Sequence, residues 1–324
     1  MPAPNETRER AMESVRQADT GPALAHLLEL ARQGQEQVLL EQLRRHEAIG
    51  EWSPPARDAL LHAFAVTLGD LHAGTVGPAV FEFLDSVEPL TRVPHFDHPQ
   101  VGVPLYNIRA AAAGSRNRWM YDEARTRSAR MLSQGETPAW LETFRAQPRT
   151  GRQGMVDSLA DVNPDQSLAI GKAAIAGIED DPALTAVVIR SAFLAQDFTL
   201  FKSAVLNGSG PDLAPALGAF STAFTAQEAV VLARESIAVA PPATSALVLA
   251  QLAHQLATDS QMVELLFETL SHHELGAAAA MTLARHPDPV VRERLQNLAQ
   301  SDNGVAAGRA ALAIAMPEPG EREK

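Results

Sequence analysis

Apolar and polar positions alternate along the chain in the manner of short amphipathic helices separated by short turns. Leu24, Leu27, Leu28 and Ala31 fall at i, i+3, i+4 and i+7, so they share one face of a helix beginning at Thr20. A second helix is predicted from about Gln35, with Val38, Leu39, Gln42 and Leu43 on one side. Ser53-Pro54-Pro55 supplies a helix start, a candidate N-cap followed by proline in the first turn, ahead of Leu60, Leu61, Phe64 and Leu68. A further stripe near Pro78 carries Val80, Phe83, Leu84 and Val87. Connections this short join antiparallel neighbours, so residues 19–88 read as helical hairpins. The polar residues 1–18 read as a flexible lead-in with some helix.

From residue 149 the pattern acquires a period. Turn or cap signals recur at Arg149, Asp180, Gly210, Pro241, Ser271 and Ser301, 30 or 31 residues apart. Most intervals hold a weaker break near their middle, at Asp197, Thr225, 258–260 and 286–289. Each unit is then helix, turn, helix. Leu249, Leu252, Ala253 and Leu256 make one stripe, and Val263, Leu266, Phe267 and Leu270 the next. Neither helix can bury its stripe alone, whereas stacked pairs bury both, which is why such units come in arrays. Composition agrees: apolar residues are 46% of the chain but aromatics only 5%, so the core is built mainly of Ala, Leu and Val. Ala and Leu are strong helix formers, and Ala lets helices approach closely. The expected fold class is all-α, an α-solenoid of stacked antiparallel helix hairpins with repeats of about 30 residues over 149–316. Residues 317–324 are expected to be a disordered tail.

Residues 274–295 resemble a HEAT-like repeat. The pieces that carry the likeness are the small-residue helix at 277–284 and then Asp288-Pro289-Val290-Val291-Arg292. Asp181-Pro182 with Val187 and Arg190 is a fainter second copy. The resemblance covers 149–316 and reaches the N-terminal half only through the rhythm of helix hairpins. It implies an α-solenoid and no particular activity, since such repeats serve scaffolds, adaptors, chromophore lyases and a few enzymes.

The formal net charge of −12 disfavours nucleic acid as a partner, because that partner needs a basic footprint. There is no cysteine, which removes disulfides, thiolate metal sites and cysteine nucleophiles together. Lysine occurs only at 172, 202 and 324, a bias expected of a GC-rich coding sequence. No run approaches the roughly 18 apolar residues of a membrane helix, so no membrane insertion is expected. The N-terminus lacks the apolar stretch of a secretory signal. The expected location is cytoplasmic, or periplasmic if a signal peptide had been removed from the chain.

Residues 89–148 break the pattern. A proline-rich loop at 93–104 leads into a divergent helical segment holding both tyrosines, Tyr106 and Tyr121, and two of the three tryptophans, Trp119 and Trp140. Over 109–152 nine arginines face four acids, a local excess of five positive charges in an acidic chain. Large, rigid, hydrogen-bonding side chains of these types are enriched at binding hot spots. Tyr106, Asn107, Arg109, Arg116, Arg118, Trp119 and Tyr121 are therefore the candidate partner-binding residues, for a protein or an acidic peptide. The competing reading pairs the arginines with acids of the same protein and uses the rings to plug a seam. Charge is put to structural use more often, which tips the balance slightly to the seam.

His95-Phe96-Asp97-His98 sits between Pro94 and Pro99. His95, Asp97 and His98 could ligate zinc or another divalent ion, with His62 or His72 as a further ligand. A locally hydrogen-bonded turn is the commoner meaning of such a stretch. His272-His273-Glu274 reads as a helix start with Glu favourably placed in the first turn. The glycines at 151–154 and 207–211 read as turns between helices. Neither a Ser-hydrolase elbow nor a His-Glu-x-x-His motif is present. The function read from these residues is a non-enzymatic protein-interaction or scaffold module, without cofactor, using a solenoid surface near residues 95–121. The alternative is a metal- or small-anion-binding protein, or an enzyme, centred on His95, Asp97 and His98. The sequence leaves the oligomeric state open.

Overall fold

Prolines and short polar caps set the helix starts. In the computed structural model, which describes residues 3–48, 50, 52–301 and 304–316, they delimit an all-α protein with eighteen α-helices among the described residues. The tail expected at 317–324 lies outside those residues. The first five helices are α1 (Arg8–Gln17), α2 (Gly21–Arg32), α3 (Glu36–Glu47), α4 (Pro54–Leu68) and α5 (Pro78–Ser86). The long α6 (Ile108–Ser133) follows, then α7 (Thr137–Ala146), α8 (Arg149–Asp157) and α9 (Pro164–Ile175). The remainder are α10 (Leu184–Ala195), α11 (Phe198–Asn207), α12 (Leu213–Gly218), α13 (Ala226–Val239), α14 (Pro242–Gln255), α15 (Ser260–Thr269), α16 (Gly276–Ala284), α17 (Pro289–Ala299) and α18 (Gly304–Ala315).

Residues 93–104, expected as a loop, form a hairpin of two short antiparallel strands, β1 (Arg92–Pro94) and β2 (Gly102–Pro104). Val93 pairs with Val103 at its centre, and Val93 is buried. Proline is tolerated here because a two-stranded ribbon is all edge.

Contacts gather the chain into two units, one of residues 1–131 and 146–158, the other of residues 132–145 and 159–324. The first unit closes on Leu27, Leu39, Leu43, Leu60, Leu61, Phe64, Leu68, Val80 and Leu84, drawn from the helix faces that the periodicity marks out. Ile108 and Trp119 of α6 complete the same core. The N-terminal residues take part in this unit, where the sequence suggests a flexible lead-in. Asn5 N and Glu6 N donate to Arg92 O at 3.0 and 3.2 Å, and α1 packs on α4 with Ala11 fully buried.

A buried ion pair fastens this unit. Asp58, wholly enclosed, accepts from Arg57 Nη1 and from Thr91 N, each at 2.7 Å. Arg57 also donates to Glu47 O at 3.1 Å and Glu88 O at 2.9 Å. Charges out of water are tolerable only when partnered on all sides, and here the partners are the chain ends leaving α3 and α5.

In the second unit the breaks at mid-interval are helix caps. Asp197, Asp259 and Asp288 accept from Leu200 N, Met262 N and Val290 N at 2.8 to 3.0 Å, and Thr225 forms a capping box with Glu228. Beyond sequential neighbours, helices two apart also touch: α9, α11, α13 and α15 in one series, α12, α14, α16 and α18 in another. Ion pairs cross the first series, Lys202–Glu235 at 2.9 Å and Arg234–Glu268 at 3.5 Å, and Arg294 of α17 pairs with Glu264 of α15 at 2.6 Å. Side chains also reach back to carbonyls at or near earlier helix ends. Gln166 donates to Leu132 O, Gln255 to Leu217 O, and Arg309 to Leu270 O, at 2.6 to 2.7 Å.

Helix α7 belongs to this second unit, although the sequence period starts only at 149. Its Trp140 and Phe144 are fully buried with their rings stacked at 5.6 Å. Among the described residues no helix is long and apolar enough to cross a membrane.

Candidate functional site

Helix α6 begins beside the hairpin and carries the arginine-rich stretch, so both features expected to bear function lie in the first unit. Asn107 starts the helix, its Oδ1 accepting from Ala110 N at 3.0 Å. Arg109 Nε donates to Asp85 O at 2.9 Å, capping the end of α5. Arg116 forms a bidentate pair with Asp85, at 2.6 and 3.1 Å, and lies over the Phe81 ring at 5.5 Å. Trp119 is buried edge-on against Phe81, and its Nε1 donates to Leu68 O at 2.8 Å. Arg118 meets Asp70 at 2.9 Å with both side chains largely exposed. Tyr106 leans on His62, rings 5.5 Å apart, and burial lowers the His62 pKa. Tyr121 donates to Asp157 Oδ2 at 2.7 Å, and this hydrogen bond to a carboxylate raises its pKa.

All seven residues grouped as a recognition surface are thus engaged inside the first unit. The physical reason is the helical period: Tyr106 and Asn107 precede α6, while Arg109, Arg116 and Trp119 turn toward α4 and α5. Arg109 and Arg118 keep most of their side chains in solvent, 63% and 61% exposed. The arginines that pair do so with acids of the same unit, Arg116 with Asp85 and Arg118 with Asp70.

Arg118 borders an open cleft of about 730 Å³ between the end of α4 and the face of α6. Its charged lining is Asp70, Asp122 and Glu123 against Arg118, Arg125, Arg127 and Arg130. Acid and base are nearly matched there, so the excess of positive charge counted over 109–152 does not collect into one basic pocket.

The candidate metal ligands lie on the hairpin tip. His95 and His98 stack at 5.7 Å with their planes 19° apart, and His95 Nδ1 accepts from Asp97 N at 3.2 Å. Val101 N donates to His98 O at 2.8 Å and His95 N to Val101 O at 2.9 Å, closing the turn. Among the described residues no group of three or more His, Cys, Asp or Glu is placed to hold a metal ion. The tip is a locally hydrogen-bonded turn, and His62, packed against Tyr106, is not brought to it.

What this turn does is hold Phe96 in water: its side chain is 95% exposed. Sequence reasoning passed over this residue in favour of the histidines beside it. The signal was available, since a phenylalanine flanked by polar residues and two prolines has no helix face to hide it. Comparisons with known families, with characterised proteins and with solved structures find no match for this chain.

Proposed function

We propose that the protein is a non-enzymatic interaction module, an α-solenoid of HEAT-like hairpins over residues 149–316 joined to a helical unit that presents the hairpin tip. The solenoid reading is supported by the two series of helices that touch at every second position, and by the side chains that cap carbonyls one unit back. The interaction reading rests on Phe96. Exposing a whole phenyl ring costs about 2 kcal/mol relative to burying it, and this ring stands on a turn stiffened by its own hydrogen bonds. A rigid aromatic knob of this kind suits an apolar pocket on a protein partner, at little entropic cost on binding.

The test is to capture partners from lysate with the intact protein, identify one by mass spectrometry and measure its affinity in purified form. Phe96→Ser is expected to weaken that affinity about 30-fold, a loss of about 2 kcal/mol, with an unchanged melting temperature. Arg118→Ala is expected to change it less than about twofold, as for a rim charge. Equal affinity for the intact protein and Phe96→Ser would reject the reading.

A further inference from the structure

Acidic residues are segregated in the second unit. Helices α12, α14, α16 and α18 contain neither Asp nor Glu, whereas Glu228, Glu235, Glu264 and Glu268 lie on α13 and α15 of the other series. Between α14 and α16 the acid-free series opens into a cleft of about 420 Å³. Its walls are small and apolar, with Ala250, Ala253 and Ala257 from one side and Ala278 and Met281 from the other. Met281 is 45% exposed, so a flexible apolar side chain stands in water there. The two walls are tied together. His286 Nδ1 accepts from Asp288 N at 3.1 Å, which leaves the ring proton on Nε2, and Nε2 donates to Ala257 O across the cleft. Three further polar side chains line it: Gln251 and His254, three residues apart on α14, and Arg285 at the end of α16. Among the described residues none of these three side chains has a hydrogen-bond or ion-pair partner. Each carries at least one N–H donor, and no acidic side chain lines the cleft to compete for them.

We propose that this cleft binds an aliphatic carboxylate, its chain against the alanines and Met281 and its head group at Arg285. A carboxylate only accepts hydrogen bonds, and a guanidinium with two further N–H donors is the set that recognises it. No Phe, Tyr or Trp lines the cleft, so an aromatic body would find no ring to stack on, while an alkyl chain needs only the small apolar walls. The size is that of a small-ligand site. At about 30 Å³ for each water-sized group, the space takes a chain of roughly ten carbons with its head group. Helix ends repel anions through their open carbonyls. Here Ala257 O, Thr282 O and Leu283 O are already taken, by His286 Nε2, Arg285 N and His286 N, and the guanidinium of Arg285 remains for the ligand. The site is separate from the hairpin tip, which belongs to the other unit.

The probe is sodium decanoate, below its micelle-forming concentration, titrated into the intact chain labelled with ¹³C at the methionine methyls. The Met281 resonance, assigned through Met281→Leu, is expected to shift and saturate with a dissociation constant of order 0.1–1 mM, while that of the exposed Met12 stays in place. Decylamine, with the same chain and the opposite charge, is expected to bind at least about fivefold more weakly. The sign of that preference is informative, because a net charge of −12 favours the cation at any unspecific site. Arg285→Gln is expected to weaken decanoate about fivefold, and Ala250→Glu, which sets an acid at an exposed position in the cleft, at least about tenfold. Both variants should melt with the parent. A Met281 methyl that does not move overturns the proposal. So does decylamine binding as tightly as decanoate, or an affinity unchanged in Arg285→Gln. Phe96→Ser should bind decanoate as the parent does, so failure here and failure of the interaction reading are separate results.

Discussion

Arg57 and Asp58 stand next to each other in sequence, yet nothing in their spacing says that both are buried. The pair is fixed by partners far along the chain, Glu47, Glu88 and Thr91. Arg57→Ala strands the Asp58 carboxylate in the core and should cost about 3–5 kcal/mol in urea unfolding. Trp119→Phe keeps the packing against Phe81 but removes one of two donors to Leu68 O, which Leu71 N still serves at 3.1 Å, a loss of about 0.5–1.5 kcal/mol by the same measurement. Arg294 stacks on Phe267 at 3.9 Å while its hydrogen bond to Glu264 lowers the carboxyl pKa. The folded protein therefore binds that proton less readily than the unfolded chain, and the contribution is present above the unfolded Glu pKa of about 4.3 and lost as pH falls through the folded value. Thermal melts from pH 6 down to about pH 3 should lose less stability in Glu264→Gln than in the parent. Leu60, Leu61, Phe64 and Leu68 were legible as core because a 3.6-residue period marks them. Arg116 and Trp119 were not, because the choice between solvent and Asp85 or Leu68 is made 31 and 51 residues away.

Among elements, the caps carried the most readable information. Asp197, Thr225, Asp259 and Asp288 each begin a helix where the sequence shows a break, since an N-cap is a local hydrogen bond and needs no tertiary context. The hairpin at 92–104 was harder to read, because strands of three residues give too short an alternation to separate from a loop. Tight packing between elements also hid in plain glycines. A Cβ on Gly154 of α8 would overlap the Tyr121 carbonyl oxygen of α6 and lie 3.2 Å from Arg125 N, so Gly154→Ala must push the two helices apart. The expected loss is about 1–3 kcal/mol. Gly114→Ala, within α6 and facing open space, should instead gain about 0.5–1 kcal/mol through helix propensity. Chemical denaturation of both variants compares the two signs directly.

The molecule as a whole is not divided where its sequence pattern changes. The period begins at 149, yet α7 joins the later unit and α8 the earlier one, so the chain passes between units after residues 131, 145 and 158. A stripe of apolar residues tells a helix to be covered without naming the cover. A fragment of residues 159–316 lacks Trp140, Phe144 and the Leu132 carbonyl that Gln166 caps. It should melt well below a fragment of residues 132–316, by about 10 °C or more if those rings are worth the usual 3–5 kcal/mol for an aromatic core residue. Four of the bonds from side chains to carbonyls at or near helix ends run in one direction. Trp119 serves Leu68, Arg109 serves Asp85, Gln255 serves Leu217 and Arg309 serves Leu270, each donor lying 24 to 51 residues after the carbonyl it satisfies. During synthesis such a helix therefore leaves the ribosome without this bond and gains it only when later chain has been made. At roughly 5–20 residues per second that wait is about 1–10 s per helix, and the folded front trails the nascent end by about one repeat.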